Sequence, residues 1–165
     1  MIIILLAVAF VGATAAMPYV VSQDFAVGDT LNYEWTESNG TVTESFTETN
    51  TITAVTATTV TYDWTFGDLT GTSSETIVKE GSKLYINDVM FINPALLPDE
   101  RSYTVVLIGF TPMLVEAYTI EITGGTFDFW VKAGTLLIVK SVLTEGDFTE
   151  SRVLSDTSMM WVKLF

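Results

Sequence analysis

Carboxylates are the side chains with which this chain could do acid–base chemistry. The sequence contains 20 Asp and Glu, seven Lys and Arg, and neither histidine nor cysteine. The missing histidine removes the commonest general base and metal ligand, and the missing cysteine removes thiol chemistry. A pair of carboxylates could still hydrolyse a glycosidic bond, so a glycan hydrolase is the enzyme class left to weigh.

The spacing of these carboxylates favours a structural role instead. Glu34, Glu44 and Glu48 stand at alternate positions in strand-like stretches, where charges on a solvated face keep a sheet soluble. The sequence carries no nucleophile elbow, no phosphate-binding glycine loop and no zinc-ligand spacing. We therefore expect a protein that is not an enzyme, with no catalytic residue, no bound metal and no cofactor.

The charge balance excludes one large class of partner. The net charge is -13 at pH 7, and nucleic-acid binding depends on Lys and Arg that neutralise phosphates. At the same time 48 % of the residues are hydrophobic, far more than a disordered chain carries. We expect the chain to fold around a core and to bind no nucleic acid.

The N-terminal stretch, residues 1–23, carries no charge, and residues 2–11 form a continuous apolar run. One interpretation is a secretory signal peptide that ends at the small residues Ala13-Thr14-Ala15. The other is a retained helix, which at about 1.5 Å per residue would be roughly 35 Å long and could cross a bilayer. Either way the chain divides into a hydrophobic segment, 1–23, and a second domain, 24–165.

The order of these parts, an apolar segment followed by a β-rich body, resembles mature archaeal type IV pilins and archaellins. Bacterial pilins place Glu where this chain has Leu5, so the resemblance is to the archaeal branch. It implies a structural subunit of an extracellular filament at the cell surface, a homo-oligomer that contacts the membrane before assembly. The side chains that would form the stem are Ile2, Ile3, Ile4, Leu5, Leu6, Val8, Phe10 and Val11.

The body of the chain has the period-two pattern of half-buried strands. Leu31, Tyr33 and Trp35 alternate with polar residues, and Asn39-Gly40 then supplies a hairpin turn. Turn signals recur about every ten residues, which is typical of a sandwich or barrel-like sheet. We predict a mostly β fold in which the hydrophobic helix precedes an antiparallel β-sandwich or half-barrel.

Four later segments carry predictions of their own. The run 103–110 is continuously apolar and predicts a strand buried on both faces. Glu145-Gly146-Asp147 predicts a second hairpin, and 94–98 predicts one helical turn. The apolar C-terminus, 159–165, is expected to dock on its own sheet or on a neighbouring subunit.

Short phrases of the body also resemble secreted archaeal proteins of the lipoprotein-carrier type. These are residues 27–35, 124–130 and 134–137, within a stretch from Phe25 to Asp156. The resemblance implies a half-barrel, and hence an alternative function: a secreted protein that binds an apolar ligand after removal of residues 1 to about 16. The aromatic residues belong to the core or, in this alternative, line a cavity: Tyr33, Trp35, Tyr62, Trp64, Phe127 and Phe129.

Asn39-Gly40-Thr41 is also an N-glycosylation sequon at the tip of the first predicted hairpin. Turn chemistry already explains Asn-Gly at this position. Asn39 is therefore a candidate glycosylation site as well as a turn residue.

Overall fold

The computed structural model of the protein describes residues 23–81, 83–109 and 111–163. These residues form a ten-stranded antiparallel sheet, which confirms the mostly β, antiparallel prediction. The strands are β1 Thr30–Ser38, β2 Thr43–Val55, β3 Thr59–Phe66, β4 Leu69–Glu80, β5 Lys83–Ile86, β6 Ser102–Ile108, β7 Thr111–Ile122, β8 Gly125–Lys132, β9 Ile138–Glu145 and β10 Phe148–Thr157. The predicted N-terminal helix lies outside the described residues.

The sheet consists of two meanders joined along one seam. The strand order is β5-β4-β3-β2-β1-β10-β9-β8-β7-β6, so each meander pairs strands that follow one another in sequence. The seam is the antiparallel pairing of β1 with β10, which places Leu31 opposite Thr157 and Trp35 opposite Arg152. The two halves of the chain therefore share one sheet.

Tight turns connect the strands where the sequence predicted them. Gly40 has a φ of 81°, a conformation that favours glycine, and the Asn39 side chain accepts hydrogen bonds from the Thr41 and Val42 amides. Gly146, with a φ of 57°, turns β9 into β10. A single 3-10 turn at Pro94–Leu96 matches the predicted helical turn.

One face of the sheet, called the inner face below, carries the core of the first meander. In β1 it presents Leu31, Tyr33 and Trp35, and the pairing registers extend it through the neighbouring strands. The segment after β5 covers part of this face with Met90, Phe91 and Ile92. Other fully buried core residues come from the second meander: Val115, Phe129, Leu136, Leu137, Val139 and Leu154.

The C-terminal segment packs on the protein's own core. Met159, Trp161 and Val162 are buried, and the Trp161 indole donates a hydrogen bond to the Asp24 carbonyl (3.0 Å). A short helix, α1 Met160–Lys163, ends the described chain. Across the described residues, no helix is long and apolar enough to span a membrane.

The prediction that 103–110 forms a strand buried on both faces is wrong. Tyr103, Val105 and Leu107 are 56 %, 60 % and 68 % exposed, whereas Ile108 is buried. The reason is the position of β6, which ends the strand order and pairs only with β7 among the described strands. An edge strand lacks a neighbour on one side, and apolar composition alone does not distinguish it from a central strand.

Candidate functional site

A cavity of about 310 Å³ opens on the inner face of the first meander. Pairing places its strand residues side by side, because residues directly opposite each other share a face of the sheet. Asn50, for example, lies opposite Trp64, and Trp64 lies opposite Gly71. The lining residues are Trp35, Glu48, Asn50, Tyr62, Trp64, Phe66, Ser73, Asp88 and Val89.

Aromatic rings form the walls of this cavity. The rings of Trp35 and Phe66 lie 5.4 Å apart between centroids and are nearly perpendicular, at 86°. Phe46 backs Phe66, with centroids also 5.4 Å apart. Edge-to-face contacts of this kind hold neighbouring rings in fixed orientations.

Gly71 allows the Trp64 indole to lie across β4. A Cβ atom at residue 71 would be only 2.4 Å from Cζ2 of Trp64 and 2.6 Å from its Cε2. Any side chain larger than hydrogen would therefore push the indole away from its position on the cavity wall. The backbone of Gly71 does not need a positive φ, so close approach is the reason for glycine here.

A buried carboxylate, that of Glu48, lines the cavity, and each of its two oxygens accepts two hydrogen bonds. Glu48 Oε2 accepts hydrogen bonds from the Trp35 indole (2.6 Å) and from Nε of Arg152 (2.9 Å). Its Oε1 accepts from the side-chain amide of Asn50 (2.7 Å) and from a terminal nitrogen of Arg152 (2.9 Å). Glu48 and Arg152 thus form a bidentate buried ion pair, the strong geometry for this pair of groups.

Arg152 reaches across the seam to make this pair. Its side chain extends from β10 over β1, where the guanidinium lies 3.6 Å from the ring centroid of Tyr33. A further guanidinium nitrogen donates to the Val89 carbonyl at 2.7 Å. One arginine therefore ties together β10, β1, β2 and the segment that follows β5.

The segment after β5 contributes a second carboxylate to the cavity. Asp88 accepts a hydrogen bond from the Tyr62 hydroxyl, and its other oxygen accepts from the Met90 amide (3.1 Å). Burial and the nearby Asp88 carboxylate raise the pKa of the Tyr62 hydroxyl, so it stays protonated and donates.

The prediction that Glu48 lies on a solvated face is wrong. Glu48 is only 7 % exposed; Glu34 is exposed on the opposite face as expected, and Glu44 is exposed although it lies on the same face of β2 as Glu48. The missed signal is the alternation of side chains along β2. Glu48 is separated from Phe46 and from Ile52 by an even number of residues, and alternate residues of a strand share a face, so Glu48 lies on the inner face with them.

The structure brings together three of the six aromatic residues proposed as a ligand lining. Trp35, Tyr62 and Trp64 line the cavity. Tyr33 is fully buried beneath the Arg152 guanidinium. Phe127 and Phe129 stack on each other in β8, with centroids 5.5 Å apart, in the other meander.

Sequence patterns gave no reason to select several other residues of the site. Asn50, Phe66 and Ser73 could have been found by extending the register from Tyr62 and Trp64 to neighbouring strands. Asp88 and Arg152 carried no such signal, because both reach the cavity through tertiary contacts.

The remaining predicted sites are not joined to this cavity. Asn39 is exposed at the β1–β2 turn, as an acceptor for a sugar must be. The stem residues Ile2 to Val11 lie outside the described residues. Within the part of the chain that the structure describes, no group of three or more acidic side chains is placed to hold a metal ion.

Of the comparisons with known proteins, only the one with solved structures finds similar proteins. No protein-family model matches the chain, and no curated protein matches it. A crystal structure of MucB is similar over 81 % of this chain and 54 % of its own, with 13 % identity and a TM-score of 0.45. The complex of MucA and MucB from Pseudomonas aeruginosa matches over 81 % and 53 %, with 14 % identity and a TM-score of 0.39.

A third structure, MucB in complex with MucA(peri), matches over 79 % of this chain and 50 % of its own. Its identity is 14 % and its TM-score is 0.39. This chain therefore spans about half the length of the solved chains that it resembles.

These neighbours correct the filament prediction. They are structures of MucB, alone or with the different chain MucA, and none of the three is a pilin, an archaellin or a polymer of one chain. The predicted filament subunit, its homo-oligomeric partner and its place in a cell-surface filament are wrong. The resemblance depended on the order of an apolar segment and a β-rich body, which exported β proteins of many kinds share.

Proposed function

We propose that this chain is a binding module that acts outside the cytoplasm, holds an apolar ligand in the inner-face cavity and catalyses no reaction. In this proposal the sheet is a half-barrel whose inner face carries the site. The observation that supports it best is the cavity itself, with aromatic walls formed by Trp35, Trp64 and Phe66. Its volume, about 310 Å³, is within the range of small-molecule sites.

The polar groups at the cavity support binding rather than catalysis. A general acid or base must be free to exchange a proton with its substrate. Glu48 instead accepts four hydrogen bonds from Trp35, Asn50 and Arg152. Such a carboxylate fixes the positions of the side chains around it, which is what a preformed binding site requires.

The location outside the cytoplasm is supported by the sequence. The apolar run at residues 2–11 and the small residues Ala13-Thr14-Ala15 match the central region and the cleavage site of a secretory signal peptide, although no Lys or Arg precedes the run. In this proposal residues 1 to about 16 are removed on export. Mass spectrometry of the protein secreted by its host would test this, because a retained residue 1 contradicts it.

Titration with the neutral fluorescent probe N-phenyl-1-naphthylamine tests the binding proposal. We expect saturable binding that is weakened at least tenfold in Trp64→Ala, because truncation removes one wall of the cavity. Trp130→Ala is the matched control, since Trp130 is also partly buried but lies in β8, with Lys140 over its ring (4.6 Å). No binding, or equal weakening in both variants, would contradict the proposal.

A further inference from the structure

We propose that the ligand of this cavity is an organic cation, an alkylammonium group attached to an apolar body. This inference rests on the proposed function and names its ligand class. The cavity combines two features that recognise such a cation: several aromatic rings around one space, and negative charge at its wall.

Four aromatic residues line the cavity. Trp35 and Phe66 stand nearly perpendicular on one side, and Tyr62 and Trp64 of β3 line the same cavity. A cation within about 6 Å of a ring centroid is attracted by the negative face of the ring, most strongly when the site is desolvated. Cages of this kind are a recurrent solution for binding methylated ammonium groups.

The charges at the cavity do not cancel. Glu48 is balanced by its bidentate partner Arg152. Asp88, by contrast, accepts from two uncharged donors, the Tyr62 hydroxyl and the Met90 amide. The lining contains no Lys or Arg among the described residues; the Arg152 guanidinium, which is paired with Glu48, lies 5.3 Å from the ring centroid of Trp35.

A second carboxylate adds to this negative charge. Glu75 lies on the inner face of β4, two residues from Ser73, and is partly buried. It lies near enough to Tyr62 to contribute, with Asp88, to the raised pKa of that hydroxyl. Two carboxylates, Asp88 in the cavity wall and Glu75 beside it, are therefore present on this side.

The same charges disfavour the other ligand classes. A neutral apolar ligand would displace water from Asp88 without supplying a counter-charge, and burial of an uncompensated carboxylate is costly. An anionic lipid or fatty acid would face repulsion from both Asp88 and Glu75. A cation compensates the carboxylate at the same time as its apolar body fills the cavity.

A matched pair of probes separates charge from shape. Benzyltrimethylammonium and neopentylbenzene differ by replacement of the charged nitrogen with carbon. Their affinities for the full chain would be measured by displacement of N-phenyl-1-naphthylamine. We expect the cation to bind about tenfold more tightly or better, because it gains cation–π contacts and attraction to the wall carboxylates.

Charge variants identify the source of that preference. Asp88→Asn retains an oxygen to accept from Tyr62 and should reduce the preference severalfold, and Glu75→Gln should reduce it less. Asp63→Asn is the control, because Asp63 is exposed on the opposite face of β3 and accepts from Thr72. Circular dichroism would establish that each variant is folded.

Each outcome bears on one of the two proposals. Equal binding of the two probes, or tighter binding of neopentylbenzene, overturns the cation inference and leaves the binding module intact. A preference for the cation that persists in both the Asp88 and Glu75 variants also overturns it, since the wall charge would then play no part. Failure of the chain to bind N-phenyl-1-naphthylamine and, by isothermal titration calorimetry, benzyltrimethylammonium removes both proposals together.

Discussion

Replacement of Glu48 by glutamine should lower the free energy of unfolding by about 3–5 kcal/mol, the usual effect of removing one partner of a buried ion pair. Glutamine has nearly the same shape as glutamate, so packing around residue 48 is preserved. The change instead removes the negative charge that faces the guanidinium of Arg152. The Arg152 side chain is only 3 % exposed, so bulk water can do little to replace the lost carboxylate.

The hydrogen bonds at Glu48 explain why the effect should fall in this range. Each carboxylate oxygen accepts from two donors, Trp35 and Arg152 on one side and Asn50 and Arg152 on the other. Whichever way the glutamine amide is turned, its NH₂ group faces two of these donors. An unsatisfied buried polar group costs about 1–3 kcal/mol, more when it is charged.

Urea denaturation followed by circular dichroism would measure the change. For a domain of this size the melting temperature should also fall by about 6–20 °C, at roughly 2–4 °C per kcal/mol. Lys79→Met is the control, because the Lys79–Asp24 pair is 62 % and 65 % exposed and should contribute less than about 1 kcal/mol.

A double variant distinguishes lost charge balance from lost packing. Glu48→Leu combined with Arg152→Met removes both charges, and the double variant should lose less stability than the sum of the losses in the two single variants. A loss below about 1 kcal/mol in Glu48→Gln would refute the reasoning, because a buried guanidinium would then tolerate the absence of its counter-charge.

Three further predictions concern other parts of the molecule. Gly71→Ala should destabilise the protein by about 1–3 kcal/mol and weaken probe binding, because the new Cβ displaces the Trp64 indole; urea denaturation and probe titration measure these effects. Burial raises the pKa of Tyr118 to about 12, whereas the same hydroxyl in the unfolded chain titrates near pH 10. Between about pH 10 and 12 the unfolded chain has therefore released a proton that the folded protein still holds, and the free energy of unfolding should fall as pH rises. Urea denaturation across this range should show a smaller fall in Tyr118→Phe. In a host that glycosylates asparagine, a glycan mass at Asn39 should disappear in Thr41→Ala, and an unmodified parent protein would contradict this.

Local patterns were sufficient to predict much of the first meander. Period-two alternation identified the β3 residues Tyr62 and Trp64, and Asn39-Gly40 identified the turn between β1 and β2. Both features are encoded by residues adjacent in the chain. They required no knowledge of which strands pair.

Features that depend on distant residues were not predictable in this way. Glu48 and Arg152 are separated by 104 positions, and only the pairing of β1 with β10 brings them together. Asp88 lies in a segment with no regular periodicity and reaches Tyr62 through the tertiary fold. The edge position of β6 likewise follows from the strand order, which apolar composition does not specify.

The seam between β1 and β10 also has a kinetic consequence. Among the described strands it is the one neighbouring pair that is not consecutive in sequence. Each meander can grow hairpin by hairpin, but joining Leu31 to Thr157 requires closure of a loop that holds most of the chain. Folding should therefore be limited by formation of this seam, as is usual for β proteins rich in non-local contacts, and the cavity acquires Arg152 only when that step is complete.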